Sequence, residues 1–286
     1  PNKSLAYHTP KFNTAEDLDR LKRMSQYFTD GKTMERFVVG TQLAQAVGVR
    51  HALEHARTRW PQSTGALYYK LNDNSPAASW STVDWYGVPK LSHYFIQNSF
   101  APLLAVALFK KTTTFGEPLS APVFLLDDAD ALKDSSWDVA VRAYGADLKL
   151  IKESRFQGAN SVHKVAKLGE FALTAEQTKT SPLLIVTDVL QGGVLAKRNY
   201  YFTNFEAAKD CLFNLPKTKL SMTIAYGQVV VKNEGAVPAV GVAIARPGHL
   251  DTFFAAENYF WLEPGESKTV TVNATNGLVL TSWNKE

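Results

Sequence analysis

The chain has 286 residues, enough for more than one domain and a sizeable core. Hydrophobic residues make up 45% and charged residues 20%, and 31 basic against 27 acidic residues leave a formal charge of only +4. With no basic stripe or arginine-rich arm, nucleic acid is not the expected partner. The apolar runs break within about ten residues, which argues against a membrane span.

The chain opens on Pro1, without Met or a secretory apolar region, and a piece of a longer protein is expected. Compartment and targeting therefore stay unassigned. The first hundred residues read as helical. Thr14 to Asp17 forms a capping-box pattern ahead of Leu18, Leu21, Met24, Tyr27 and Phe28 at helical spacing. Asp30-Gly31 ends that helix. A second is expected from about Thr33 to Arg59, with Phe37, Val38, Leu43, Ala44, Val47 and Leu53 as its apolar stripe and Gly40 and Gly48 as bends. A buried-type run follows over 65–71, and a third helix from about Val88 to Phe100. After Pro102 short β-rich runs alternate with turn clusters. They are expected over 103–110, 123–126, 137–143, 148–153, 162–166, 183–190 and 199–205. A second set covers 220–225, 228–232, 240–245, 259–262 and 268–272. Two antiparallel sandwiches are the expected result. The single Cys211 excludes an internal disulfide and a cysteine zinc cage, and reads as a small buried apolar residue. Asn2 and Asn273 head glycosylation triplets, which arise often by chance.

Several ordered motifs carry a resemblance. Gly65 to Asp73 (Gly-Ala-Leu-Tyr-Tyr-Lys-Leu-Asn-Asp) is followed by Ser79-Trp80-Ser81 and Asp84-Trp85-Tyr86-Gly87. Lys90-Leu91-Ser92-His93-Tyr94-Phe95 and Phe100-Ala101-Pro102 come next, and Glu257-Asn258-Tyr259-Phe260 with Pro264-Gly265-Glu266 stand near the end. Together they resemble the C-terminal part of the β-mannosidases of glycoside hydrolase family 2. The resemblance implies an α+β multidomain chain: the closing segment of a (β/α)8 barrel followed by two immunoglobulin-like β-sandwiches. Residues 1–100 would be the end of the barrel, with its eighth strand at about 65–73. Residues 101–213 and 214–286 would be the sandwiches.

Such barrels carry their chemistry at the C-terminal ends of the strands, so 65–73 would end at the site rim. The resemblance implies no cofactor, an oligosaccharide substrate, and Tyr69, Asn72 and Asp73 as substrate-binding residues. Tyr69 stands where the family has a sugar-stacking Trp, and Ser75 where it has a Trp before Pro. Both departures bear on specificity. Asn72 and Asp73 suit either a sugar hydroxyl or the backbone of their own turn. Trp80, Asp84, Trp85 and Tyr86 are expected to pack the last helix onto the rim, and Tyr68 to face the core. Retaining hydrolysis uses two carboxyl groups about 5–5.5 Å apart. In the family they end the fourth and seventh strands, the latter in a Ser-Glu-aromatic-Gly motif absent from this sequence. No catalytic residue is therefore expected in this chain, which alone should be inactive.

Two matches compete. Asn233-Glu234 copies the family's Asn-Glu acid/base pair but reads as a hairpin turn. His51-Ala52-Leu53-Glu54-His55 copies an inverted zinc-protease pattern, but reads as the solvated face of a helix flanked by Arg50, Arg57 and Arg59. No metal is expected. A different class, a carbohydrate-binding or assembly sandwich, would need exposed aromatics in line. Phe253, Phe254, Tyr259 and Trp261 are its candidates, against the alternative that alternate ones face the core. One barrel strand cannot close a barrel. Either self-association as a homo-oligomer, or the missing N-terminal part on a companion chain, is expected to cover it.

Overall fold

The computed structural model describes residues 7–8, 14–111, 113–248 and 252–286, with side chains omitted at 14 and 15. The capping pattern at Thr14 and the Asn2 triplet lie outside what is described. The chain divides into two compact units. One gathers 1–48, 67–95 and 212–286; the other holds 49–66 and 96–211. No described helix is long and apolar enough to cross a membrane.

Helix α1 spans Thr14–Phe28 and helix α2 spans Met34–Arg57. Gly31 has φ +63°, a left-handed position that suits glycine after a helix end. Thr33 then caps α2, its Oγ1 accepting from the Arg36 N–H at 3.2 Å. Gly40 lies inside α2. It lets α2 approach α1, because a Cβ there would stand 2.8 Å from the Ser25 carbonyl oxygen and collide with its hydroxyl. Ser25 and Thr29 are buried at this crossing and donate to the Phe37 and Arg36 carbonyls at 3.1 and 2.8 Å. Gly40→Val should cost about 1–3 kcal/mol through overpacking, read as a lower midpoint in urea unfolding. An unchanged midpoint would show that the helices separate freely.

The stripe that α2 buries differs from the expected one. Phe37, Ala44 and Val47 are only half-buried and Val38 is exposed. Of the expected stripe Leu43 and Leu53 are buried, and Gly40, Ala46, Arg50 and Glu54 join them. Small residues go in because they permit close approach, and a charged pair goes in because its partners lie inside.

Helix α3, Leu91–Ser99, is shorter than expected and starts after Pro89-Lys90. The Gln42 side chain accepts from the Leu91 N–H at 2.9 Å, serving its first turn. The strand expected at 65–73 forms no ladder. Its only pairing is an isolated bridge, Asn72 to Val83, which in turn bridges Pro89. A strand needs a neighbour to take its N–H and C=O groups, and among the described residues only Thr82 and Val83 supply one, to Leu71 and Asp73 at its end. Leu67 and Leu71 stand 103% and 64% exposed.

The second unit contains a sandwich of seven strands, β1 Leu103–Ala107, β2 Leu119–Asp127, β3 Ser136–Tyr144, β4 Leu150–Ala159, β5 Lys164–Leu173, β6 Leu183–Gln191 and β7 Val194–Thr203. One sheet runs β1-β2-β5 and the other β4-β3-β6-β7, with antiparallel pairing throughout. Val123, Leu125, Val139, Val141, Phe171 and Ile185 fill the core between them. The first unit contains β8 Leu220–Ala225, β9 Gln228–Asn233, β10 Ala239–Ala245, β11 Phe260–Leu262, β12 Ser267–Thr271 and β13 Val279–Thr281. Their sheets run β12-β9-β8 and β11-β10-β13. The two sandwiches repeat one order: first, second and fifth strands in one sheet, fourth, third and sixth in the other. That is the wiring of an immunoglobulin-type sandwich.

Candidate functional site

The segment 65–90 is held mainly by polar contacts. Tyr68, on the inner side, reaches Gln45, whose Nε2 donates to its hydroxyl at 2.7 Å. Gln45 also donates to the Trp80 carbonyl at 2.6 Å and accepts from the Ser92 hydroxyl at 2.7 Å. The chain turns at Asp73, whose N–H donates to the Val83 carbonyl at 3.0 Å. Its neighbour Tyr69 is 79% exposed, and Asn72 and Asn74 are also exposed.

Asp73 is the buried centre of this turn, its side chain 2% exposed. Lys90 Nζ lies 3.1 Å from one carboxylate oxygen and donates to Ser81 Oγ at 2.9 Å. Ser79 donates to the other oxygen, and Lys70 Nζ stands 3.7 Å from it. Burial pushes the carboxyl up, but hydrogen bonds from Ser79, Ser81 and Lys90 and the Lys90 charge outweigh it, leaving it below its ordinary value of 3.8. A depressed carboxylate stabilises the fold above pH 3.8, and that contribution is lost as pH falls through the folded value. Asp73→Asn should therefore cost most near neutral pH and progressively less as the pH falls below 3.8. A cost that does not change across this range would contradict the ion pair.

Of the residues singled out from sequence, the structure thus sorts three. Tyr69 and Asn72 are exposed to solvent. Asp73 faces inward, with its carboxylate committed to the turn. Lys90, Ser79 and Ser81 were legible only as motif letters, and their joint role came from the fold. Trp80, Trp85 and Tyr86 are about half-exposed, at 52%, 50% and 47%. His93 is half-buried, its Nδ1 3.4 Å from Thr82 Oγ1, and burial lowers its pKa.

The competing matches resolve locally. Asn233 is buried at the end of β9, donating to the Val237 and Leu262 carbonyls and accepting from the Gly235 N–H, while Glu234, just after the strand, pairs with Ser221 and Lys219 at the surface. His51 and His55 are exposed and stacked, ring centroids 6.4 Å apart, but Glu54 between them is buried. The expectation of a wholly solvated face is corrected: Arg50 and Glu54 point inward, to partners on β7 and α3. No group of three candidate metal ligands occurs among the described residues. Phe253 and Trp261 are buried and Phe254 is exposed, so these aromatics alternate instead of lining one face.

Comparison with known proteins gives first a class and then relatives. Residues 215–286 match the family model for the mannosidase-type Ig-fold domain. The bovine (Bos taurus) β-mannosidase is 38% identical over 82 residues, 26% of this chain and 9% of that protein. A probable β-mannosidase from Caenorhabditis elegans is 26% identical over 187 residues, 58% of this chain and 20% of that protein. The chain thus spans a small fraction of the length of the relatives it matches. Among solved structures, the exo-chitosanase CsxA of Amycolatopsis orientalis matches 98% of this chain and 37% of its own, with TM-score 0.77 and 17% identity. The β-D-mannosidase of Dictyoglomus thermophilum matches 99% and 34%, with TM-score 0.74 and 19% identity. These likenesses show the fold. The likeness to a C-terminal portion of the family 2 β-mannosidases, read from the motifs, is borne out.

Proposed function

We propose that this chain is the C-terminal portion of a retaining, exo-acting glycoside hydrolase, most like a β-mannosidase that removes terminal β-mannose from oligosaccharides. The observation that carries this reading is the mannosidase-type Ig-fold domain at 215–286, joined in one chain to the rim motifs at 65–95. In this reading 1–100 closes a (β/α)8 barrel, with 65–73 as its eighth strand. The backbone of 65–70, which joins no ladder among the described residues, and exposed Leu67, Tyr69 and Leu71 support it, since both need a cover. The cover is the upstream barrel of the parent protein, on the same chain or on a companion chain. Sandwiches 101–213 and 214–286 would be accessory.

Tyr69 is the sugar platform: an aromatic face packs on the apolar C–H face of a pyranose. Asn72 orients a hydroxyl. Asp73 holds the turn that presents them and serves neither as acid nor as base, because its depressed pKa and filled hydrogen bonds leave it an ionised structural group. The two reacting carboxylates belong to the barrel strands upstream. Tyr69 in place of Trp favours a second reading, a related exo-β-glucosaminidase or galactosidase. The test is hydrolysis of aryl β-mannoside, β-glucosaminide and β-galactoside by the upstream-extended protein. Preference for mannoside, with kcat/KM lowered about tenfold or more in Tyr69→Ala, is the expected result. Preference for another sugar would select the second reading, and no turnover of any would overturn both.

A further inference from the structure

Val83 bridges Asn72, so the segment leaving Val83 starts at the same rim. It makes a tight turn over 84–88 that Asp84 builds. One carboxylate oxygen accepts from the Tyr86 and Val88 N–H groups, each at 2.9 Å, and the Asp84 and Gly87 N–H groups close the turn at 3.0 Å. The C-terminal sandwich holds it from outside: Thr252 Oγ1 donates to the Tyr86 carbonyl at 3.1 Å. Gly87 has φ +78°, and a Cβ there would stand 2.7 Å from Thr252 Oγ1. Phe254 lies on the exposed side of the same extended segment as Thr252, while Phe253 and Ala255 turn inward.

The backbone of the turn is thus fixed, yet Trp85 and Tyr86 remain half in water. Leaving large aromatics exposed forgoes the free energy of burying them. Rigid, amphipathic rings shown at low entropic cost are what recognition surfaces use. Asp84 is the turn's one charged residue, and its carboxylate serves the backbone, so the surface suits a neutral ligand. We infer that Trp85 and Tyr86 form a second sugar-stacking subsite, taking the residue next to the terminal sugar of a β-linked oligosaccharide, with Thr252 as its positioning residue. The inference rests on the glycosidase reading and deepens it.

The test follows the tryptophan indole N–H signals of the 286-residue chain by NMR while β-1,4-mannotriose or mannose is added. A saturable shift of the Trp85 signal, stronger for the trisaccharide, is expected. An aromatic contact of about 0.5–1.5 kcal/mol makes binding two- to twelvefold weaker in Trp85→Ala. Thr252→Val should weaken it as well, Thr252→Ser should restore it, and Trp60→Ala, outside the rim, should leave it unchanged. Thermal melts confirm that each variant folds. A Trp85 shift with β-1,4-glucosamine oligomers but not with mannotriose would keep the subsite and overturn the mannose reading. No saturable shift with any of these sugars would overturn the subsite, even if the upstream-extended protein hydrolyses aryl mannoside. So would a Trp85 signal that responds in this chain but is silent in the extended protein, which would make the turn a protein contact.

Discussion

Glu54→Ala is expected to destabilise the unit that contains β1–β7 by about 3–5 kcal/mol. Glu54 is buried on α2 with every contact filled by a donor. Tyr201 donates to one oxygen at 2.9 Å, and Asn199 and Ser99 donate to the other at 3.1 and 3.4 Å. Arg50, one turn earlier, is buried too, donating to the Tyr200 carbonyl at 2.6 Å and lying 4.6 Å from the Tyr201 ring centroid. Truncating Glu54 leaves the buried Tyr201, Asn199 and Ser99 donors without this acceptor, a loss that does not require Glu54 to be ionised. Replacing both, as Arg50→Met with Glu54→Leu, should recover only part of the loss, because the desolvation of Arg50 is relieved while the three donors still lack the Glu54 acceptor. A double variant as unstable as the single one would place the cost in packing instead. Burial raises the Glu54 pKa, and the Arg50 charge and the three donors offset this only in part. A raised carboxyl stabilises most below its ordinary value of 4.5, and that contribution fades as pH climbs through the folded value. The gap between wild type and Glu54→Ala should therefore be wider at pH 4 than at pH 7. Denaturant titrations at the two values decide it.

Asn284→Ala is expected to cost the C-terminal sandwich about 3 kcal/mol. Its buried amide donates to the Pro216 and Pro238 carbonyls at 2.9 and 2.8 Å and accepts from the Val240 N–H at 2.9 Å. Each buried backbone group left without a partner costs about 1–3 kcal/mol. The backbone adds a tie, Thr218 N–H to the Asn284 carbonyl at 2.8 Å. One side chain thus binds both ends of the domain to β10. A melt of residues 215–286 within the full chain, followed by hydrogen exchange at Val240, reads the effect. Unchanged protection there would contradict it.

Period-two alternation made the sandwiches legible. Along β9, Val229, Val231 and Asn233 go in while Gln228, Val230 and Lys232 stay out, and Gln228–Asn233 extends the expected run by one residue. β13 was not expected because three residues, Val279–Thr281, carry too little pattern to stand out after Gly277. Helix α2 was legible as a helix but not by its buried face. Apolar periodicity selects large residues, whereas its inward positions include Gly40, Ala46, Arg50 and Glu54. The rim was harder. A strand is a property of two segments, so the apolar alternation of 65–71 could not by itself say whether a partner stands beside it. The Asp73–Lys90 pair joins residues 17 apart through a turn that has no periodicity. What could point to it is the company of Ser79, Ser81 and Lys90 after a strand-end carboxylate, a set of donors around one acceptor.

The central claim is that this chain supplies the rim and the sandwiches of a glycosidase while the reacting carboxylates lie in other sequence. The most direct measurement is hydrolysis of aryl β-mannoside by the purified 286-residue chain, with a thermal melt on the same sample. A cooperative melt and no turnover is the predicted result. Turnover by the folded chain would mean that a complete carboxylate pair lies within these residues, and would contradict the account.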